Sequence, residues 1–192
     1  MDLTQLLETL GRTLQGLGMP YLVSGGMAVS VWGKPRFTAD IDIVVELPLA
    51  RVEQLAAAMK SAFGEDMLFD ETQIARAIRE KKEFNFFHGD TGIKIDFWIL
   101  KDTVFDESRM SRRVARRIGK QDVWFSSPED LILIKLQWYK ESLSTRHLED
   151  IESILKIQSR VDRAYLRHWA LAQGTSAIIE SEFNKVEGAE TP

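Results

Sequence analysis

At the start of the chain the apolar positions fall at three- and four-residue intervals: Leu3, Leu6, Leu7, Leu10, Leu14 and Leu17. That period predicts an amphipathic helix ending near Gly16 and Gly18, with Met19 and Pro20 stopping it. A short apolar strand follows at 21–23, then a small-residue helix at 26–32 and a basic turn carrying Lys34, Pro35 and Arg36. Residues 40–46 are β-branched and alternate, which predicts a second strand. Pro48 suits the first turn of a helix reaching about residue 63, with Leu49, Val52, Leu55, Ala56 and Met59 on its buried stripe. Ile74, Ala75 and Ile78 give a further helix, at 71–81, its apolar side. Two apolar strands, 84–88 and 93–100, flank Gly89, Asp90, Thr91 and Gly92, which is a hairpin signal.

Beyond residue 100 the pattern turns polar. Arg109, Arg112, Arg113, Arg116, Arg117 and Lys120 carry helical spacing and predict one basic helical face, followed by a short strand at 122–125. Ser127, Pro128, Glu129 and Asp130 form a helix start: a capping hydroxyl, proline at the first position and acids in the first turn. Helices at 145–157, 162–173 and 175–186 complete the chain. The expected organisation is α+β: a core at 1–125 with a mixed sheet flanked by helices, a helical region at 126–187 packed on it, and a tail at 188–192.

Composition excludes more than it identifies. The chain has 192 residues, 44% of them hydrophobic and 28% charged, enough for a real core. A net charge of -4 argues against a wholly electrostatic nucleic-acid binder, though a local basic patch remains compatible with RNA phosphates. With no cysteine there is no disulfide, zinc–thiolate site or cysteine nucleophile. The N-terminal sequence lacks a signal-peptide pattern, and no apolar run approaches the ~20 residues that span a bilayer. The expectation is a cytoplasmic protein.

The candidate chemistry lies between residues 21 and 46. Side chains alternate along a strand, so Asp40 and Asp42 share one face while Ile41 and Ile43 take the other. Neighbouring carboxylates repel and call for a cation or water between them. Upstream, Ser24, Gly25 and Gly26 open a helix through a turn without β-carbons, where backbone N–H groups can hold phosphate. A third acid, Asp96, sits within an apolar strand, on the same face as Lys94 and Trp98. Converging acids favour magnesium, which prefers carboxylate and phosphate oxygens. His88, His147 and His168 have no metal-ligand spacing, and neither a P-loop nor a dinucleotide-binding glycine pattern occurs. Trp124, Trp138, Tyr139 and Trp169 read as core aromatics.

Ser24-Gly25-Gly26, thirteen residues, Asp40-Ile41-Asp42-Ile43 and then Ile95-Asp96-Phe97 resemble the signature of the polymerase-β-type nucleotidyltransferase superfamily. The texture is similar to small bacterial nucleotidyltransferases of abortive-infection and toxin–antitoxin systems. Ser127-Pro128-Glu129-Asp130-Leu131, Lys135, Arg146 and Asp150 resemble, more loosely, their helical C-terminal part, where a lysine and a downstream aspartate recur. The resemblance implies a nucleotidyltransferase fold and transfer of a nucleoside monophosphate from an NTP such as ATP to a hydroxyl, with release of pyrophosphate. It implies two Mg²⁺ ions on Asp40, Asp42 and Asp96, with Asp96 also a candidate base. Ser24, Gly25 and Gly26 then hold phosphates, and Arg36 and Lys135 neutralise them. Asp150 is either part of this pattern or a surface acid of its helix. The acceptor is open between tRNA, protein and a small molecule, and a cognate toxin–antitoxin partner is implied. Two other classes stand beside this: a non-catalytic binding partner on the same fold, antitoxin-like or regulatory, and a sugar-nucleotide transferase, which the early Gly-Gly and short length disfavour.

Overall fold

A computed structural model describes residues 2–64, 67–89 and 92–188. Its elements run α1 (Leu3–Gly16), β1 (Tyr21–Val23), α2 (Gly25–Trp32), β2 (Asp40–Val45), a 3-10 turn (Leu49–Arg51), α3 (Val52–Phe63), β3 (Met67–Leu68), α4 (Glu71–Glu80) and β4 (Glu83–His88). They continue with β5 (Ile93–Ile99), α5 (Val104–Ser111), β6 (Val114–Ile118), β7 (Gln121–Phe125), α6 (Pro128–Ser142), α7 (Thr145–Ile157), α8 (Arg163–Gln173) and α9 (Ser176–Gly188). The chain forms two compact units: Met1–Met27 with Phe37–Ser126, and Ala28–Arg36 with Ser127–Pro192.

The first unit is built on a mixed sheet of order β3-β4-β5-β2-β1-β7-β6. Its centre is β2, antiparallel to β1 and parallel to β5. Alternation sends Tyr21, Val23, Ile41, Ile43, Val45, Ile95 and Phe97 to one face, where all are buried. Helix α1 packs on that face. Asp2 and Gln5 close its N-terminus with a capping box, and Leu6, Leu7, Leu10 and Leu14 are buried. Each such leucine is worth about 1.5–3 kcal/mol of burial. Gly11 permits the contact, since a β-carbon there would meet Val123 at 2.9 Å. The other face carries Asp40, Asp42, Lys94, Asp96 and Trp98. Beside them Leu22, Val44 and Met110 of α5 make a small buried cluster, against which Trp98 and Leu100 pack.

The second unit is helical. Helix α6 packs on α7 and α8, and α9 packs on the same two. Segment 28–36 is fastened to this bundle. The Lys34 N–H donates to Ser153 Oγ at 3.0 Å, and Gln158 Nε2 donates to the Trp32 carbonyl at 2.7 Å. Gly33 lies so near α7 that a β-carbon would be 2.2 Å from Ser153 Oγ.

The predicted mixed sheet flanked by helices is observed, with differences in detail. The basic stretch is not one helical face. Helix α5 stops at Ser111, and β6 and β7 form a hairpin turning at Gly119, whose φ is +56. Arg116 and Arg117 therefore point to opposite faces, and Arg109 is buried against Asp106 at 2.8 Å. Its spacing mimicked a helix because charges recur by accident where Val114 and Ile118 alternate. Pro48 is extended, and the turn after it leaves Leu49 46% exposed instead of on the buried stripe. Strand β3 was not expected. Of the predicted hairpin turn, Asp90 and Thr91 lie outside the described residues, as do 189–192 of the tail, while Gly188 is the last residue of α9.

Candidate active site

The acids come together in the first unit through strand register. Asp42 of β2 pairs in register with Asp96 of β5, and Asp40 pairs with Lys94. Parallel neighbours in register present their side chains to the same face, so the three carboxylates and one ammonium form a single charged row pair. Asp96 is only 7% exposed. Its burial is tolerable because the Lys94 ammonium lies 2.7 Å from Oδ1. That contact, with the charges of Asp96, Glu83 and Asp40, holds the Lys94 pKa above its ordinary value against the opposing effect of desolvation. Asp40 accepts a 2.6 Å hydrogen bond from Thr38 Oγ1, which fixes its carboxylate from the preceding turn.

Asp42 is held on both sides. Its Oδ1 accepts from the Trp98 indole Nε1 at 3.3 Å. Its other oxygen fills the space beside Gly25: a β-carbon on that glycine would sit 1.7 Å from Oδ2. Gly25 also has φ +57, a left-handed conformation that glycine adopts freely. The strand acid and the glycine turn are thus fitted to one another. The Ser24 N–H donates to the Asp42 carbonyl at 2.8 Å, which continues the β1–β2 pairing into the turn.

Ser24 is 3% exposed and its hydroxyl has no hydrogen-bond partner among the described residues. A buried hydroxyl left unpaired is costly and rare, and here it stands at the first residue before α2. The first N–H groups of a helix lack intrahelical partners, so this end offers donors suited to an anion. The donor set of the face suits a hard divalent cation, because it consists of carboxylate oxygens. Among the described residues no three such groups already converge as a finished cage. Asp42 is engaged by Trp98 and Asp96 by Lys94, so a cation must reorganise at least one of these contacts.

Arg36 and Lys135 lie in the helical unit, and there they meet on Asp150. Arg36 grips it in a fork, Nε to Oδ1 at 2.7 Å and Nη2 to Oδ2 at 3.0 Å. Lys135 Nζ is 2.9 Å from Oδ2. Asp150 is 3% exposed, which corrects its reading as a surface acid. Burial pushes its carboxyl up, but the Arg36 hydrogen bonds and the Lys135 charge outweigh that and hold it below the usual carboxylate value. The neighbouring His147 is held below its ordinary value by burial first and by the Lys135 charge second.

Sequence reasoning placed the acids and the glycines but assigned no role to Lys94, Trp98 or Thr38. The signal for two of them was present, since Lys94 and Trp98 share the alternating face of Asp96.

A family model described as nucleotidyl transferase AbiEii toxin, type IV toxin–antitoxin system, matches residues 7–187. No curated protein matches the sequence significantly. Several solved structures share the fold. An antigenic nucleotidyltransferase-like protein from Paracoccidioides brasiliensis is 20% identical over 80% of this chain and 74% of its own, with a TM-score of 0.53. ANT(2")-Ia, solved with adenylyl-2"-tobramycin, is 15% identical over 90% of this chain and 96% of its own, at 0.58. The lincosamide antibiotic adenylyltransferase LnuA, lincomycin-bound, is 14% identical over 82% and 99%, at 0.54. The sheet and its helices have the nucleotidyltransferase fold.

Proposed function

Because the chain belongs to the AbiEii nucleotidyl transferase toxin family, we propose that it moves a nucleoside monophosphate from an NTP to an acceptor hydroxyl and releases pyrophosphate. The observation that carries this reading is the register of Asp42 with Asp96, beside Asp40 and against the side-chain-free Gly25.

Asp40, Asp42 and Asp96 are the residues that would hold Mg²⁺. When bound, paired metal ions stabilise both the attacking and the leaving oxygen of an in-line displacement. The Ser24 hydroxyl and the N–H groups at the start of α2, from Gly25 and Gly26, receive the β- and γ-phosphates. Asp96 accepts the proton of the acceptor hydroxyl as its oxygen bonds to the α-phosphorus. The bond from that phosphorus to the bridging oxygen breaks, and pyrophosphate departs. Lys94 moves off Asp96 to free this carboxylate. Arg36 and Lys135, both held on Asp150 in the helical unit, are the proposed cations for phosphate charge.

The acceptor is a hydroxyl of RNA such as a tRNA end, of a protein, or of a small molecule. The last is supported by the antibiotic adducts and ligands of two fold relatives. The family description supports a toxin–antitoxin setting with a cognate partner. A non-catalytic role on the same fold is the second reading, and the Lys94–Asp96 ion pair favours it in one respect: the third acid is already neutralised.

Calorimetric titration of ATP, GTP, CTP and UTP with Mg²⁺ into the wild type and Asp42→Asn tests the proposal. Metal-dependent binding of a nucleotide, lost in the variant, is the expected result. Folded protein that binds none of the four would move the assignment to the non-catalytic partner.

A further inference from the structure

We propose that Trp98 is a positioning residue for Asp42, setting the orientation in which this acid meets a divalent cation. The inference rests on the reading of Asp42 as a cation-holding acid. The geometry behind it is local and specific. A carboxylate at the end of one rotatable bond pair can turn, and a turned carboxylate presents the wrong oxygen. Here both oxygens are assigned: Oδ1 receives the Trp98 Nε1–H at 3.3 Å, and Oδ2 is directed to the space beside Gly25. Trp98 reaches Asp42 from two residues beyond Asp96, on the same strand face, so one strand supplies both an acid and the group that orients its neighbour.

The indole is itself fixed. It is half-buried and packs against Leu22, Val44 and Met110, an apolar cluster lying on the acid-bearing face of the sheet. A polar tip on an apolar body suits this position, because the ring gains burial while its N–H finds a charged acceptor. Groups that orient a metal-holding carboxylate by hydrogen bonding contribute strongly to cation affinity although they never touch the ion. Phenylalanine keeps the ring and the packing but lacks the N–H. Trp98→Phe therefore separates orientation from stability.

Two measurements test this with the full chain. In ¹H–¹⁵N correlation spectra the five tryptophans give separate indole signals, and the one absent from Trp98→Phe belongs to Trp98. That signal moves in Asp42→Asn and again when Mg²⁺ is added to the wild type, while the indole signals remote from the acids stay in place. In parallel, Mn²⁺ binding is followed by the electron-spin resonance of the free ion. Asp42→Asn abolishes binding, and Trp98→Phe weakens it about tenfold. An indole signal that ignores Asp42→Asn overturns the proposal, and does so even if Trp98→Phe fails to fold. Unchanged or tighter Mn²⁺ binding in a folded Trp98→Phe protein overturns it as well. Mn²⁺ binding that is indifferent to Asp42→Asn sinks instead the underlying reading of the acids.

Discussion

A β-carbon placed on Gly25 would lie 1.7 Å from Oδ2 of Asp42, so the glycine turn and the strand acid occupy their positions only together. Alanine at 25 must either displace the carboxylate or distort a turn whose φ is +57. The left-handed strain costs about 1–2 kcal/mol and the steric conflict about 1–3 more. Gly25→Ala is expected to lower the melting temperature by roughly 4–20 °C and to remove Mg²⁺-dependent nucleotide binding. Adding Asp42→Ala relieves the clash, so the double variant should melt above the sum of the two single effects. Simple additivity in a thermal-melt cycle would contradict the contact.

Lys94 neutralises Asp96 from the same strand face and competes with any ion placed there. Its side chain is half-exposed, so the pair itself adds little to stability. Lys94→Gln should leave the melting temperature nearly unchanged and tighten Mn²⁺ binding about fivefold at low salt, from ~1 kcal/mol of removed repulsion. The gain should shrink in higher salt as screening grows. Weaker binding in this variant would show that Lys94 supports the cation site.

Asp150 answers two cations in the helical unit, and Lys135 has almost no access to water to replace it. Asp150→Ala takes from the buried Lys135 ammonium its carboxylate partner at 2.9 Å and is expected to cost about 3–5 kcal/mol in urea unfolding. Lys135→Met combined with Asp150→Leu should recover part of that loss, because apolar groups of similar size fill the space of the buried pair while the partly exposed Arg36 still loses its fork. If the double variant is no more stable than the single one, the ion pair contributes more than its own desolvation.

The same cluster predicts two acid-sensitive windows. His147 has a folded pKa below its ordinary 6.5, so the unfolded chain takes up the proton first. Stability is therefore full above pH 6.5 and falls as pH drops from there towards the folded value. Asp150 is depressed below its ordinary 3.8, and its contribution is full above 3.8 and is lost as pH falls through the folded value. Chemical denaturation from pH 8 to pH 3 should show the first loss disappear in His147→Gln. The second should disappear in Asp150→Asn. A first loss that survives His147→Gln belongs to another group.

The period-two pattern of β2 and β5 made the shared face of the acids legible, and the glycines were legible only together with those acids, since a glycine pair alone often just marks a tight turn. The strand at 122–125 was legible as β7, but its partner β6 was hidden, since arginines at helical intervals outweighed the weaker period-two placing of Val114, Arg116 and Ile118. Strand β3 is two residues long and carries no period at all. Asp150 stayed open between two readings because burial depends on partners, and Arg36 stands 114 residues away in the chain. The Trp98 contact with Asp42 was illegible for the same reason, since register between strands 56 residues apart in sequence is a property of the whole sheet.

Residues 28–36 belong by contact to the helical unit although they are strung between two strands of the other. Gene-level shuffling therefore has no clean seam here. A transplanted segment 127–192 would arrive without the piece that Ser153, Gln158 and Asp150 grip, and the recipient would keep a loop shaped for a departed host. Segment 28–36 and the helices of 127–192 must then diverge as a matched pair, each constraining which sequences the other can accept.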